Sequence, residues 1–170
     1  MPMNPFVELA VKSVQFFLTH KTMLPCPENL PAELKKRAGV FVSIKNKTAL
    51  RGCIGTIDPI EDNLAQEIIR NAVHAATEDP RFSSITSDEL PDLAFSVDVL
   101  TPLEKVNDLS QLDCKKYGLL LKGKSRQGVL LPDLETVNTV EDQIRICRKK
   151  ASLKENDPVE MFRFRVERYH

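Results

Sequence analysis

Near the start of the chain, apolar residues recur at helical spacing. Val7, Ala10, Val11, Val14, Phe17 and Leu18 fall on one face of a helix. Asn4 precedes them as a cap, and Pro5 takes the first helical position, where its missing N–H leaves nothing unpaired. A proline-rich connector, LPCPENLP, leads to a short helix, AELKKRA, that stops at Gly39. The period then changes to two. In GVFVSIKNKTALRGCIGTI, Val40, Val42 and Ile44 alternate with Phe41, Ser43 and Lys45. After the polar break NKT, Leu50, Gly52 and Ile54 alternate with Arg51, Cys53 and Gly55, which predicts a β-hairpin.

Asp58 and Pro59 read as the cap and first residue of a second long helix. Leu64, Ala65, Ile68, Ala72, Ala75 and Ala76 form its buried face, and the small alanines imply a closely packed neighbour. The helix ends at EDPRF, because the residue before Pro80 is pushed out of α geometry. Thr86 and Glu89 have capping-box spacing, so SDELPDL opens with a helical turn. AFSVDVLTP predicts a half-buried strand and YGLLLKGKSRQGVLLP a second hairpin. TVEDQIRICRKKAS predicts a third long helix capped by Thr139, and VEMFRFRVERY one closing strand. Hairpins interrupted by helices argue for an α+β fold, a largely antiparallel sheet with packed helices, and against a doubly wound parallel sheet.

Composition narrows the class. Of 170 residues, 42% are hydrophobic and 28% charged, which suits one globular domain over residues 1–170. No apolar run approaches the roughly 20 residues needed to span a bilayer, and the N-terminus has no basic leader. The expectation is a cytoplasmic protein without membrane contact. Charge is balanced overall, with 24 basic and 24 acidic residues. It is uneven along the chain: residues 1–110 carry 11 Lys/Arg against 15 Asp/Glu (net −4), and residues 111–170 carry 13 against 9 (net +4). That is far from a dedicated nucleic-acid binder. The four cysteines (Cys26, Cys53, Cys114, Cys147) lack the Cys-x-x-Cys spacing of zinc or redox motifs. No metal or cofactor is expected, and no phosphate loop, dinucleotide fingerprint or nucleophile elbow is present.

Cys53 is the most pointed candidate. On a regular strand it shares a face with Arg51, about 7 Å away. Arg51 would then stabilise a thiolate, the reactive form of the residue, or hold an anion beside it. The competing reading is a small buried hydrophobe. Gly52 and Gly55 mark either backbone open to a ligand or a close approach of the Ala-rich helix. His74, on the second long helix with Glu67, Arg70, Asn71 and Glu78, reads as a solvated surface histidine. In DPRF, Asp79 and Arg81 either pair locally or leave Arg81 to grip a carboxylate or phosphate. Lys115, Lys116, Lys122, Lys124 and Arg126 have no acid between Cys114 and Leu131, and with Arg163, Arg165 and Arg168 they outline a basic strip. A solvated hairpin explains them as well as phosphate binding does.

GVFVSIKNKTALRGCIGTI, NAVHAATEDPRF, VDVLTPLEKV, GVLLPDLE and FRFRVERY, in this order, resemble the AMMECR domain family over essentially the whole chain, in its compact prokaryotic form. LRGCIG followed by DPRF is the specific part. The resemblance implies one AMMECR-like domain, an α+β fold with a larger and a smaller lobe, and a cleft near LRGCIG. It also implies Memo-like and radical-SAM proteins as partners. It carries the family signature onto Leu50, Arg51, Gly52, Cys53, Ile54, Gly55, Asp79, Arg81 and Phe82. The family's usual alanine is His74 here, so a Cys53–His74 dyad is not shared chemistry.

Three functional expectations follow. One is a pocket for a small anionic or peptide ligand lined by Arg51, Gly52, Cys53, Gly55, Asp79 and Arg81, with Cys53 as nucleophile, in a protein or small-molecule modification pathway. The second is a nucleic-acid module using the basic strip. The third is a non-catalytic scaffold.

Overall fold

A computed structural model describes residues 2–170. The chain folds into two compact units: the first runs to Leu100 and is rejoined by Glu167–His170, and the second is Thr101–Val166. The architecture is α+β, with the strands divided between two four-stranded sheets, whereas the sequence suggested one.

In the first unit, α1 (Pro5–His20) begins as its residues dictate, with Asn4 Oδ1 accepting from the Phe6 amide at 2.9 Å. The next helix, α2, is only Ala32–Lys35. The hairpin β1 (Val40–Asn46) and β2 (Ala49–Thr56) joins α3 (Leu64–Thr77), β3 (Leu93–Leu100) and, from the far end of the chain, β8 (Val166–Tyr169). The strand order is β2-β1-β3-β8, with β1 antiparallel to both β2 and β3. Val40, Val42, Ile44, Val97 and Val99 face a core closed by Val7, Ala10 and Val14 of α1 and by Leu64, Ile68 and Ala72 of α3.

Helix α3 starts later than Asp58 and Pro59 suggest. Its cap is Asn63, whose side chain accepts from the Gln66 amide. Residues 57–63 form a loop because Glu67, fully buried, collects their donors. Its carboxylate accepts from the Thr56 hydroxyl and from the amides of Ile60 and Glu61, the last two at 3.0 and 2.7 Å. Buried Asn71 completes the network, donating to the Val40 carbonyl and to Thr56 Oγ1. The solvated polar face read around His74 is thus overturned at Glu67 and Asn71: both satisfy loop and strand groups that would otherwise be buried unpaired.

The second unit holds β4 (Glu104–Val106), β5 (Gly118–Lys122), β6 (Gln127–Leu130), α4 (Val140–Lys150) and β7 (Glu160–Phe164). Its antiparallel sheet has the order β4-β7-β5-β6. Thr139 caps α4 as expected, accepting from the Asp142 amide. Leu119, Leu121, Leu130, Val137 and Cys147 form its core. The closing segment is two strands, not one. It leaves one sheet at Phe164 and enters the other at Val166, with Arg165 outside both.

Candidate functional site

The hairpin of β1 and β2 is not regular. Asn46 pairs with Ala49 and Lys45 with Leu50, but Ile44 pairs with Gly52. Arg51 is therefore an inserted residue, a β-bulge, and bulges re-aim side chains. The shift places Ser43 opposite Cys53, and Ser43 Oγ lies 3.2 Å from Cys53 Sγ. It also ends the simple alternation by which Arg51 would accompany Cys53.

Arg51 turns instead to the segment after α3. Its Nε and Nη2 donate to the two Glu89 oxygens at 2.9 and 3.2 Å, and Nη1 donates to the Ser83 carbonyl at 2.7 Å. Glu89 also accepts from the Thr86 amide at 2.8 Å, the half of the capping box that the sequence suggested. Arg51 and Thr86 together hold the Glu89 carboxyl below its ordinary range.

Gly52 and Gly55 have packing roles. A Cβ on Gly52 would overlap the Ala75 carbonyl oxygen, so α3 approaches β2 at this point as its alanines implied. A Cβ on Gly55 would overlap the Phe41 ring. Cys53, one residue from Gly52, faces away from α3, on the side of the sheet that carries Phe41, Ser43 and Ser96. It is half-buried there.

β2 is an edge strand, so its outward amides need partners. Asp79 supplies one: its Oδ2 accepts from the Cys53 amide at 3.0 Å. The same carboxylate accepts from Arg81, at 3.0 Å from Nε and 2.8 Å from Nη2, and from the Arg81 amide at 3.1 Å. Asp79 is 4% exposed. The Arg81 guanidinium foremost, against the cost of burial, holds its carboxyl down at about 2. Arg81 remains 55% exposed at its side chain, with its guanidinium 5.4 Å from the Phe82 ring centroid. Asp79 foremost, against the cost of burial, raises the Arg81 guanidinium above its ordinary value, and the charge of Cys53, when ionised, adds in smaller part.

LRGCIG and DPRF thus meet in space. Cys53, Asp79 and Arg81 come together, Ser43 joins them, and Arg51 is committed to Glu89. Ser43 and Glu89 did not stand out in the sequence. Counting pairs back from the NKT turn puts Ser43 opposite Gly52, and only the bulge corrects this. A further ion pair, Arg168 Nε to Asp98 Oδ1 at 2.8 Å, lies in the same unit with Asp98 buried.

His74 is on α3, across the sheet from Cys53. It lines a groove of about 270 Å³ with Met23, Leu24 and Cys26, and stands 3.7 Å from Glu78. Among the described residues, no group of three or more His, Cys, Asp or Glu is placed to hold a metal ion.

The basic residues of the strip have separate partners. Lys115 donates to the Leu134 carbonyl and Arg126 to that of Ser152, while Lys122 lies over the Phe162 ring. Lys124 is exposed at the β5–β6 hairpin. Lys116, Arg163 and Arg165 gather at Tyr117. Arg168 belongs to the other unit.

Residues 7–169 match the family model described as AMMECR1. The chain belongs to the AMMECR1 family. A protein of Thermotoga maritima is 47% identical over 169 residues, covering 98% of this chain and 97% of its own. A Clostridium acetobutylicum protein is 44% identical over 168 residues, of which this chain spans only 36% of the length. The crystal structure of an uncharacterized protein from Pyrococcus horikoshii has the same fold, with a TM-score of 0.89 at 29% identity over 96% of this chain and 88% of that one. The AMMECR1 membership carries the fold. No helix among the described residues is long and apolar enough to cross a membrane.

Proposed function

We propose that the protein acts through the Cys53 thiol, with Arg81 as the cation that holds a small anionic ligand beside it. In this reading it is one component of a protein or small-molecule modification pathway, working in the cytoplasm with Memo-like and radical-SAM partners. A reducing compartment suits a working thiol.

One observation carries the reading. Asp79 binds the Cys53 amide and the Arg81 guanidinium with the same carboxylate. An exposed cation is thereby tethered to the residue bearing the thiol. Asp79, ionised down to about pH 2, is a poor proton acceptor. Activation therefore rests on charge, with Arg81 favouring the thiolate and Ser43 next to the sulfur. Arg51 positions the 83–89 segment, and Gly52 and Gly55 seat the strand.

Limited iodoacetamide labelling of the intact chain, read by mass spectrometry, tests this. Cys53 is labelled before Cys26, and Arg81→Met slows it several-fold. First labelling at Cys26, or an unchanged rate in Arg81→Met, overturns the reading.

A further inference from the structure

Three cations of the second unit converge on one phenol. Arg165 Nη2 donates to the Tyr117 hydroxyl at 3.2 Å. The Lys116 ammonium lies 5.2 Å from the Tyr117 ring centroid, and the guanidinium carbons of Arg163 and Arg165 lie at 4.2 and 5.3 Å. Arg163 is answered by Glu104 at 2.8 Å and by the Gln111 carbonyl. Among the described residues, Lys116 and Arg165 form no ion pair. Three positive charges therefore face the Glu104 carboxylate, while the Asp113 carboxylate is turned to the Lys115 and Lys116 amides.

Like charges gathered around one ring repel, and an anion among them relieves that repulsion. We infer that Lys116, Arg165 and the Tyr117 hydroxyl form a binding site for the phosphate group of a small phosphorylated molecule. The match is chemical. A phosphate dianion balances the two cations that lack a carboxylate. The guanidinium, the ammonium and the phenolic O–H offer donors to separate phosphate oxygens. The Tyr117 hydroxyl accepts from Arg165 and still has its own proton to donate. The field that attracts an anion also acts on the phenol: Arg165 first, with Lys116 and Arg163, holds Tyr117 below its ordinary value of 10.0.

A polynucleotide fits less well, because it needs a track of cations. The neighbouring basic side chains are tied to carbonyls: Lys115 to Leu134, Arg126 to Ser152, Lys150 to Val129. The available charge is a point, not a line.

Phosphorus NMR of inorganic phosphate titrated with the full chain at low ionic strength tests the site. Saturable binding is expected, weakened about tenfold by Arg165→Ala or Lys116→Ala through loss of a charge-assisted hydrogen bond. Lys124→Ala and Arg126→Ala should leave it unchanged. A second readout needs no variant. The chain has two tyrosines and no tryptophan, so ultraviolet titration resolves both. Phosphate must raise the ionisation pH of Tyr117 and leave Tyr169, already pushed up to about 12, where it is. Absence of saturable phosphate binding, equal weakening by the hairpin variants, acetate binding as tightly as phosphate, or an unmoved Tyr117 would each overturn the site. So would an RNA oligonucleotide that binds more tightly than phosphate and is lost in the hairpin variants.

Discussion

The Cys53 amide donates to Asp79 Oδ2 at 3.0 Å, across 26 residues of sequence. This bond joins LRGCIG to DPRF in space. β2 needs its outer edge closed, and the turn after α3 supplies the carboxylate. Once placed there, the carboxylate also fixes Arg81 beside the thiol's strand.

Asp79→Asn should lower stability, and the loss should depend on pH. The folded carboxyl titrates at about 2 against an ordinary 3.8. A depressed pKa stabilises the fold above the unfolded value and loses that stabilisation as pH falls through the folded one. The contribution is about 2 kcal/mol, by 1.36 kcal/mol per unit. Urea unfolding at pH 6 should show that loss in Asp79→Asn, and the gap to wild type should close between pH 4 and pH 2. A gap independent of pH would assign the effect to packing.

Gly52→Ala meets the Ala75 carbonyl, a backbone group that no rotamer change removes. Strand and helix must part, at a cost of about 1–3 kcal/mol. Gly55→Ala meets the Phe41 ring, a side chain and not backbone, so it should cost less. Chemical denaturation of the two variants checks the order.

Glu67→Ala leaves the amides of Ile60 and Glu61 and the Thr56 hydroxyl without their acceptor. Each buried group left unpaired costs about 1–3 kcal/mol. We expect a loss of at least 2 kcal/mol, with faster amide exchange over residues 57–63. Native exchange rates there would refute the assigned role.

Arg51→Lys keeps the charge but cannot reproduce the two-oxygen grip on Glu89 together with the bond to the Ser83 carbonyl. Proteolysis within 83–89 should quicken several-fold, while Cys53 alkylation changes less than it does in Arg81→Met. The opposite order would return Arg51 to the role of thiolate partner.

Local rules carried much of the fold. Asn4 and Thr139 cap their helices because an N-cap is decided by the residue and its next three neighbours. The alternation through Val40, Val42 and Ile44 set the core face of β1. The structure departs from the local pattern where a distant group outweighs a neighbouring one. Asp58 and Pro59 look like a helix start, yet buried Glu67 draws that segment into a loop and Asn63 caps instead. Phe162, Phe164 and Val166 share one period, yet the chain changes sheets at Arg165, which period alone does not encode. That Cys53, Asp79 and Arg81 lie together was legible in the two motifs, but their hydrogen bonds were not. A one-residue bulge sent Arg51 to Glu89 and brought Ser43 to Cys53.

If Arg81 tunes Cys53, the pH dependence of Cys53 alkylation records it. Cys26→Ser removes the other half-buried thiol, since Cys114 and Cys147 are buried and burial pushes the Cys147 thiol up to about 12. In that background the alkylation rate should rise with a midpoint below the ordinary thiol value of about 8.5, and Arg81→Met should move it upward. A midpoint at or above 8.5 that Arg81→Met leaves in place would contradict the account.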